Sequence, residues 1–262
     1  MSTASAKPLS HGREPTRLVD FQDVALGYRR NVVLSDLNFF IGEGEFFGVV
    51  GANGSGKTTI LRAMLGIIEP LHGRILFDGS SQRMRFGYVP QRAHVDEMFP
   101  LTAREIVLMG RYGLLRPGRR PGAEDRRIAE LQLGHVGIAE LAGKRFRDLS
   151  GGQKQRTLFA RALAAEARIL LMDEPTEGMD LEGQQAILDL IRRLRTGTGV
   201  TVVYVTHRLN ELADSADRLL LLHDGHVRVG PVDELLTPAV LREMYNVEAH
   251  VERVAGKRVV VL

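Results

Sequence analysis

The stretch that decides the fold is Gly51-Ala52-Asn53-Gly54-Ser55-Gly56-Lys57-Thr58. It matches the pattern G-x-x-x-x-G-K-[S/T], in which a glycine-rich loop joins a strand to a helix. An apolar run at 45–50 precedes the stretch and a helix-length run at 57–65 follows it, so the context is the required one. The stretch therefore predicts a loop that binds the phosphates of a nucleoside triphosphate, a property shared by GTPases, kinases and helicases.

Each residue type in this loop suits an interaction with phosphate. Glycines let the backbone approach the oxygens and point N–H groups at them, and the following helix turns its positive end toward them. Lys57 supplies charge to the β- and γ-phosphates, the Thr58 hydroxyl is a ligand for Mg²⁺, and Thr59 supports the α-phosphate. The predicted nucleotide contacts are Gly51, Asn53, Gly54, Ser55, Gly56, Lys57, Thr58 and Thr59.

Apolar runs of strand length alternate with amphipathic runs of helix length along most of the chain. This alternation is typical of an α/β fold with a mostly parallel sheet, here a P-loop core. The first two strands, at 18–24 and 37–41, precede the loop and predict an antiparallel β region at the N-terminal end. Further strands are predicted at 74–77, 86–89, 168–172, 200–205 and 218–222.

The segment 102–143 interrupts the alternation because its pattern is helical and contains no good strand. We therefore expect an α-helical lobe, spanning about residues 91–160, to be inserted into the main domain at 18–247. Residues 1–17 are polar and are predicted to form a flexible extension. A short helix is expected near 238–245, and the tail at 248–262 has two valine-rich runs that predict a hairpin.

Composition narrows the class of protein. The 262 residues are 44% hydrophobic and 26% charged, which allows a sizeable core and an ordinary polar surface. The formal net charge of +3 is too small to indicate a nucleic-acid partner. Because cysteine is absent, disulfides, thiolate metal sites and a cysteine nucleophile are excluded. No run approaches the roughly 18 apolar residues that span a bilayer, and residues 1–17 lack the apolar core of a secretory signal.

A second pattern narrows the kind of triphosphatase. The four apolar residues at 169–172 run directly into Asp173 and Glu174. A buried parallel strand ends at the edge of the sheet where the phosphate loop also lies, so both carboxylates should emerge beside the nucleotide. We expect Asp173 to hold Mg²⁺, directly or through water, and Glu174 to polarise the attacking water.

A third pattern is the segment Leu149-Ser150-Gly151-Gly152-Gln153-Lys154-Gln155-Arg156, which resembles the LSGGQ signature of the ATP-binding-cassette (ABC) family. Ser150 and the two glycines open a helix and create a second anion-binding helix end. The resemblance covers roughly residues 18–247. It implies that Ser150, Gly151, Gly152 and Gln153 cover the γ-phosphate of an ATP molecule bound to the phosphate loop of another subunit.

The resemblance also implies roles for single residues. Tyr28 would stack on adenine, and Gln91 would reach Mg²⁺ and the attacking water. Asp180, in a stretch that departs from the commoner Ser/Ala-rich form, would cross to the partner subunit. His207 would bond the γ-phosphate and hold Glu174 and the water in place. The catalytic set is then Glu174, His207 and Gln91, and the Mg²⁺ set is Thr58, Gln91 and Asp173.

The expected partners follow from the same resemblance. One chain holds one phosphate loop and one signature, so two complete sites for MgATP require a homodimer or a heterodimer with a similar subunit. Because the chain has no membrane span, a transport pore must belong to a separate permease. The ATPase would then bind peripherally at the cytoplasmic face of the inner membrane, and an importer would add a substrate-binding protein.

Three stretches resemble the ATPases of bacterial metal-ion importers and of the related siderophore, haem and cobalamin systems. They are residues 91–102, residues 107–113 and Tyr245-Asn246-Val247. His94 and Asp96 are interpreted as surface contacts to a permease and not as metal ligands. The sequence thus predicts an ATP-hydrolysing subunit that drives the import of metal ions or metal chelates. A cassette ATPase without a permease, of the assembly-scaffold type, is the alternative.

Overall fold

Strands form three sheets in the computed structural model, which describes residues 16–29, 31–80, 84–91 and 100–261. Their bounds are β1 Arg17–Tyr28, β2 Asn31–Gly42, β3 Phe46–Gly51, β4 His72–Phe77, β5 Phe86–Val89, β6 Ile169–Asp173, β7 Thr201–Thr206, β8 Arg218–His223, β9 His226–Pro231, β10 His250–Val254 and β11 Lys257–Val261. The largest sheet has the order β5-β6-β7-β3-β8-β9, and only its β8–β9 pair is antiparallel. The predicted α/β fold with a mostly parallel sheet is confirmed.

The second sheet is antiparallel and has the order β2-β1-β4, as the N-terminal region predicts. Its first strand begins at Arg17, one residue earlier than the sequence indicated, and the backbone N–H of Glu43 donates to the Thr16 carbonyl at 2.9 Å. The Arg17 guanidinium also lies 4.5 Å from the centre of the Phe40 ring, so a polar residue is held in the strand. The remainder of the predicted flexible extension, residues 1–15, lies outside the described residues.

Helices cover both faces of the large sheet. Their bounds are α1 Lys57–Met64, α2 Ala103–Leu108, α3 Ala123–His135, α4 Gly151–Ala164, α5 Leu181–Thr198, α6 Leu209–Leu212, α7 Val232–Leu235 and α8 Pro238–Tyr245. Helices α2, α3 and α4 follow β5 and precede β6, and they pack on one another as the predicted helical lobe. Short 3-10 helices at Met109–Leu114, Ala139–Leu141 and Phe146–Asp148 complete the lobe.

The core has two parts, one on each face of the large sheet. Strand β3 shows the division, because Phe46 and Val50 point into one part while Phe47 and Val49 point into the other. The first part continues into the helical lobe, and the second is shared with α1 and the antiparallel sheet. The alternation of side chains along a buried strand therefore fixes β3, and the loop that follows it, between two packed layers.

Two features at the C-terminal end position the last helices. Strand β9 was missing from the sequence prediction, although the Asp224-Gly225 turn after the apolar run of β8 is a hairpin signal. Strands β10 and β11 form an antiparallel hairpin that lies against α6. There the Asn210 side chain exchanges two hydrogen bonds with the backbone of Val260, at 2.9 and 2.7 Å.

Candidate nucleotide-binding site

The site forms where three neighbouring parallel strands end. In the sheet β6 lies beside β7 and β7 lies beside β3, with Asp173 opposite Val205 and Val50 opposite Thr206. The phosphate loop leaves β3, the acidic pair leaves β6, and His207 leaves β7. Loops at the carboxyl ends of adjacent parallel strands meet at one edge, which is why motifs far apart in sequence converge here.

The phosphate loop closes at Gly56, the residue that precedes α1. Its φ of 105° lies in the region that L side chains avoid. A Cβ at this position would lie only 2.9 Å from Cδ1 of Leu34, so glycine is required by conformation and by space. Helix α1 therefore starts without a side-chain cap, and its first backbone N–H groups are free of side-chain acceptors within the described part of the chain.

Lys57 is buried, with a side chain only 7% exposed. Its Nζ donates to the carbonyl oxygens of Gly51 at 2.7 Å and Ala52 at 3.0 Å, and it lies 3.5 Å from Oε1 of Glu174. A lysine ammonium has three donors, and each of them here has an acceptor nearby. The lysine is thus held at the mouth of the loop, where a phosphate group can replace these acceptors.

A cleft of about 290 Å³ opens over the loop. Tyr28 and six of the eight predicted phosphate-loop contacts line it, together with both members of the acidic pair, whereas Gly51 and Ser55 do not. The Ser55 hydroxyl is buried against Gly51 and has no hydrogen-bond partner among the described residues. The lining residues are Tyr28, Val33, Asn53, Gly54, Gly56, Lys57, Thr58, Thr59, Gln91, Asp173 and Glu174.

Glu174 is the most connected carboxylate of the cleft. It is 7% exposed, its backbone N–H donates to the Val205 carbonyl at 2.8 Å, and its φ is 44°. This left-handed backbone is costly for a residue with a side chain and is retained mostly at functional positions. The carboxylate lies 2.9 Å from Nδ1 of His207 and 3.4 Å from Nε2 of Gln91. The structure thus joins the three residues that the sequence predicted to be catalytic.

Asp173 lies beside Glu174 and differs from it electrostatically. Burial raises the pKa of its carboxyl group above the ordinary value, and the negative charge of Glu174 raises it further. The attraction of Lys57 and a hydrogen bond from the Tyr88 hydroxyl oppose this rise without cancelling it. A cation beside Asp173 would stabilise the charged carboxylate against both effects.

Tyr28 lies at the edge of the cleft, where its ring is 39% exposed. Its hydroxyl lies 3.4 Å from Oγ1 of Thr59 and accepts a hydrogen bond of 3.0 Å from Arg62. The hydrogen bond with Thr59 lowers the pKa of Tyr28, with Arg62 contributing in the same direction. An exposed, fixed aromatic ring at this position can cover the base of a bound nucleotide.

The signature residues do not line this cleft. Ser150 caps α4: its hydroxyl accepts from the backbone N–H of Gln153 at 3.4 Å, and the Gln153 side chain accepts from Ser150 N at 3.0 Å. Gly151 and Gly152 are exposed in the first turn. Asp180 also lies outside the cleft, where it caps α5 through Gly183 N at 2.9 Å.

Three residues of the site were missed by the sequence analysis. Tyr88 bonds Asp173, Arg62 bonds Tyr28, and Glu177 accepts a hydrogen bond from the Gln91 amide. The only signal was proximity in sequence, since Tyr88 and Glu177 lie three residues from Gln91 and Glu174, respectively. These contacts restrain the predicted residues and do not change the chemistry expected of them.

A glycine-rich loop with a buried lysine, an acidic pair and a histidine at one sheet edge defines a P-loop nucleoside triphosphatase. The chain belongs to the ABC transporter family: a profile described as "ABC transporter" matches residues 34–177, more than half of its length. The predicted activity, ATP hydrolysis by an ABC-type ATPase, agrees with this membership.

Curated relatives extend over most of the chain. The manganese transport system ATP-binding protein MntB of Bacillus subtilis is 38% identical over 231 residues, which are 87% of this chain and 92% of that protein. The zinc transport system ATP-binding protein TroB of Treponema pallidum is 38% identical over 235 residues, 87% of this chain and 86% of that protein. The sequence resemblance to metal-transport ATPases is therefore confirmed.

Solved structures show the same fold. A metal-chelate type ABC transporter in an inward-facing conformation superposes with a TM-score of 0.83 at 30% identity, covering 93% of this chain and 96% of that one. A dimeric bacterial ABC transporter cassette superposes with a TM-score of 0.70 at 30% identity, covering 82% and 98%.

Some predictions concern the membrane or fall outside the structure. The stretch that holds His94 and Asp96, residues 92–99, lies outside the described residues. Across the ranges that the structure describes, no helix combines the length and apolar character needed to cross a membrane. In the same ranges, no group of three or more histidine, cysteine or acidic side chains is arranged to hold a metal ion.

Proposed function

We propose that two copies of this chain bind two MgATP molecules between them and power a separate permease that imports metal ions or metal chelates. One observation is the main support for the pairing of two copies. Lys57 lines the nucleotide cleft, whereas Ser150 caps an exposed helix start outside it. A single chain therefore presents two phosphate-directed helix starts that do not share a ligand. Leu181, next to Asp180 and 84% exposed, gives the same region an apolar side chain for a partner.

In the proposed mechanism, Lys57 exchanges its carbonyl partners for the β- and γ-phosphates. Glu174 accepts a proton from the attacking water, since His207 and Gln91 hold its carboxylate on the cleft side. Donors from the signature of the second copy add positive potential to the γ-phosphate. Because each subunit supplies only part of the charge, hydrolysis and phosphate loss weaken the contact between the copies.

The residues present fit Mg²⁺. The Asp173 carboxylate and the Thr58 hydroxyl line one cleft, and oxygen donors of this kind are those that Mg²⁺ prefers. Burial, the largest cause of the raised pKa of Asp173, leaves its charged form poorly solvated, and a bound cation would compensate for this. When bound, Mg²⁺ neutralises phosphate charge and orients the nucleotide. Gln91 is placed to assist, because its side chain lies on the same cleft wall.

Mixed pairs test the proposed arrangement. Chains with Lys57→Ala and chains with Gly152→Asp should each hydrolyse ATP poorly when alone. Mixing them should raise the rate roughly tenfold or more above either variant, because one intact loop then meets one intact signature. Asp at residue 152 suits the first turn of α4, where nothing lies within 4 Å of a Cβ, but it repels phosphate.

Gly134→Asp is the matched control, because this exposed position on α3 also has nothing within 4 Å of a Cβ. It adds the same charge to the lobe and should leave hydrolysis by the unmixed chain within about twofold of wild type. Formation of mixed pairs is verified by capture through a tag on one variant. Mixed pairs that form but show no recovery would mean that the loop and the signature of one and the same chain must act together, which contradicts the proposal.

A groove between β5 and the lobe supports the proposed permease contact. Its volume is about 370 Å³, and its walls include Phe86, Met109, Gly113 and Arg161. The neighbouring Tyr112 is 53% exposed and belongs to the stretch that resembles importer ATPases. This placement would put the ATPase at the cytoplasmic face of the membrane, with the substrate chosen by the permease and a substrate-binding protein.

The metal cargo is inferred from the relatives, which are named for manganese and zinc transport. Uptake of radioactive manganese, zinc and an iron chelate is compared in cells that produce the wild-type chain or Lys57→Ala with its permease. The proposal expects loss of at least one metal uptake with the variant. Unchanged uptake of all three, with ATP hydrolysis abolished, would exclude this cargo class.

A further inference from the structure

A buried polar network lies next to the two segments that carry Glu174 and His207. Its centre is Glu211 on α6, whose side chain is only 9% exposed. Oε1 of Glu211 accepts from Thr176 Oγ1 at 2.9 Å, and Oε2 accepts from the Tyr204 hydroxyl at 3.1 Å and from Thr206 Oγ1 at 2.9 Å. Arg208 lies 3.5 Å from Oε1 on the solvent side.

The network joins the two segments that carry Glu174 and His207. Thr176 lies two residues after Glu174, so its bond to Glu211 fixes the turn that follows the catalytic carboxylate. Thr206 immediately precedes His207, and the Arg208 backbone N–H donates to the Thr206 hydroxyl at 3.0 Å. His207 is thus flanked on both sides by residues tied to one carboxylate.

Because the hydrogen bonds of Glu211 are buried, they favour one arrangement of the segments that they join. Thr176, Tyr204 and Thr206 are each no more than 2% exposed, so a hydroxyl released from Glu211 finds no water to replace it. Burial also raises the pKa of Tyr204, and the negative charge of Glu211 raises it further, which keeps the phenol protonated as a donor. A buried polar network of this kind holds its members rigidly when all are satisfied.

We propose that Glu211 is a positioning residue for ATP hydrolysis: it sets the spacing between Glu174 and His207 without touching the nucleotide. The inference rests on the proposed catalytic roles of those two residues. A displacement of about 1 Å between reacting groups can lower a rate by about 100-fold, so a small shift of either turn is sufficient. ATP binding depends on the phosphate loop and should be independent of Glu211.

The test measures ATP hydrolysis and ATP affinity of Glu211→Gln and Glu211→Ala in the full chain. Glu211→Gln keeps the shape of the side chain but replaces a carboxylate that accepts three hydrogen bonds with a neutral amide. The kcat should therefore fall about tenfold. Glu211→Ala removes the common acceptor and leaves only the 3.1 Å contact between the Thr176 and Tyr204 hydroxyls, so kcat should fall about 100-fold. KM and the Kd for ATP should stay within about twofold of wild type, because the ground-state contacts are intact.

Glu45→Gln is the matched control. Glu45 is 10% exposed, accepts from Gly42 N at 2.6 Å and pairs with Arg218 at 3.3 Å, but it lies at the opposite end of β3 from the phosphate loop. The substitution neutralises a carboxylate as buried as that of Glu211 and should leave kcat unchanged. Equal kcat values for both variants, measured well below their melting temperatures, would overturn the positioning role.

Two further measurements separate the possible failures. Thr176→Val combined with Glu211→Gln should cost little more than Glu211→Gln alone, since both act through one network. Additive losses in kcat would overturn the inference. If Glu174→Gln retains wild-type hydrolysis, the proposed catalytic assignment fails. If Glu174→Gln is inactive while Glu211→Gln keeps its kcat and KM, only the positioning role fails.

Discussion

The molecule contains two glycine-rich helix starts that are built in opposite ways. Helix α1 begins after the buried Gly56 with no side-chain cap, and the buried Lys57 contacts carbonyl oxygens and Glu174 in front of it. Helix α4 begins at the exposed Ser150, whose hydroxyl and the Gln153 side chain form a reciprocal cap. The first start is enclosed by its own chain, whereas the second is open to solvent.

The difference shows how one chain can hold two unequal halves of a site. The enclosed start has walls, a lysine and an acidic pair, so it can select and orient a nucleotide within a single molecule. The open start presents backbone donors and the Ser150 hydroxyl to solvent, and under the proposed pairing another molecule would supply its ligand. Substitutions on the two sides should therefore differ in effect, and the largest loss of activity is expected at the enclosed start.

Lys57→Ala should have the largest effect. The substitution removes the buried cation of the enclosed start, and kcat/KM for ATP should fall roughly 1000-fold. Calorimetric titration should show a parallel loss of ATP affinity. Lys144→Ala, which removes an exposed lysine of the lobe, should leave both quantities unchanged. Retention of wild-type affinity by Lys57→Ala would refute the enclosed start as the primary phosphate site.

Glu174→Gln should separate binding from hydrolysis. The amide cannot accept the proton of the attacking water, so kcat should fall by about 100-fold or more while ATP affinity is retained. Because ATP is not consumed, the proposed pair should accumulate and double the mass measured by light scattering. A variant that stays monomeric with bound ATP would argue against a nucleotide shared between copies.

Substitutions at Ser150 should separate its two roles. Ser150→Ala removes the cap of α4, which should cost about 1 kcal/mol of stability, and also removes a phosphate donor, which should lower kcat about tenfold. Ser150→Asp restores the cap and thus the melting temperature, but its negative charge repels phosphate and hydrolysis should stay low. Equal recovery of stability and hydrolysis in Ser150→Asp would contradict a phosphate contact at the open start.

Asp173→Asn should change stability in a pH-dependent way. The pKa of Asp173 is raised in the folded chain, so between the ordinary value of 3.8 and the raised value the folded state binds more protons than the unfolded state. The contribution of Asp173 to stability therefore decreases as pH rises through this window. At neutral pH the Asn variant should melt a few degrees higher than wild type, and below this window the two should coincide.

Thermal melting at several pH values checks this prediction. Gln91→Asn, which shortens a neutral side chain of the same cleft, is the comparison variant and should show no such pH dependence. A lower melting temperature for Asp173→Asn at neutral pH would show that Lys57 and Tyr88 stabilise the Asp173 carboxylate more than burial and Glu174 destabilise it.

The sequence predicted those parts of the site whose functional residues are neighbours along the chain. The phosphate loop needs glycines at fixed spacing between a strand and a helix, and the acidic pair must end a buried apolar strand, so both are visible as local patterns. The parallel sheet then places them together. Strand β9 was missed although the Asp224-Gly225 turn is a hairpin signal. The polar and exposed residues of β9 weaken its apolar pattern.

The remaining contacts were hidden because they join residues distant in sequence. Gln91 and Glu177 are 86 residues apart and meet only because β5 and β6 are neighbours in the sheet. Glu211 meets Thr176 across 35 residues for a similar reason, with α6 placed at the end of β7. Single polar residues carry no motif, and their roles depend on packing that the sequence pattern does not define.

The backbone at Glu174 has a consequence for efforts to engineer this chain for heat resistance. A φ of 44° at a residue with a side chain costs about 1–3 kcal/mol, and glycine at this position would release that strain. Glu174→Gly would also leave the buried Lys57 without its carboxylate partner and would remove the proposed proton acceptor, so relief of strain and loss of contacts oppose each other. A thermostability campaign on this ATPase should therefore assay turnover in every round.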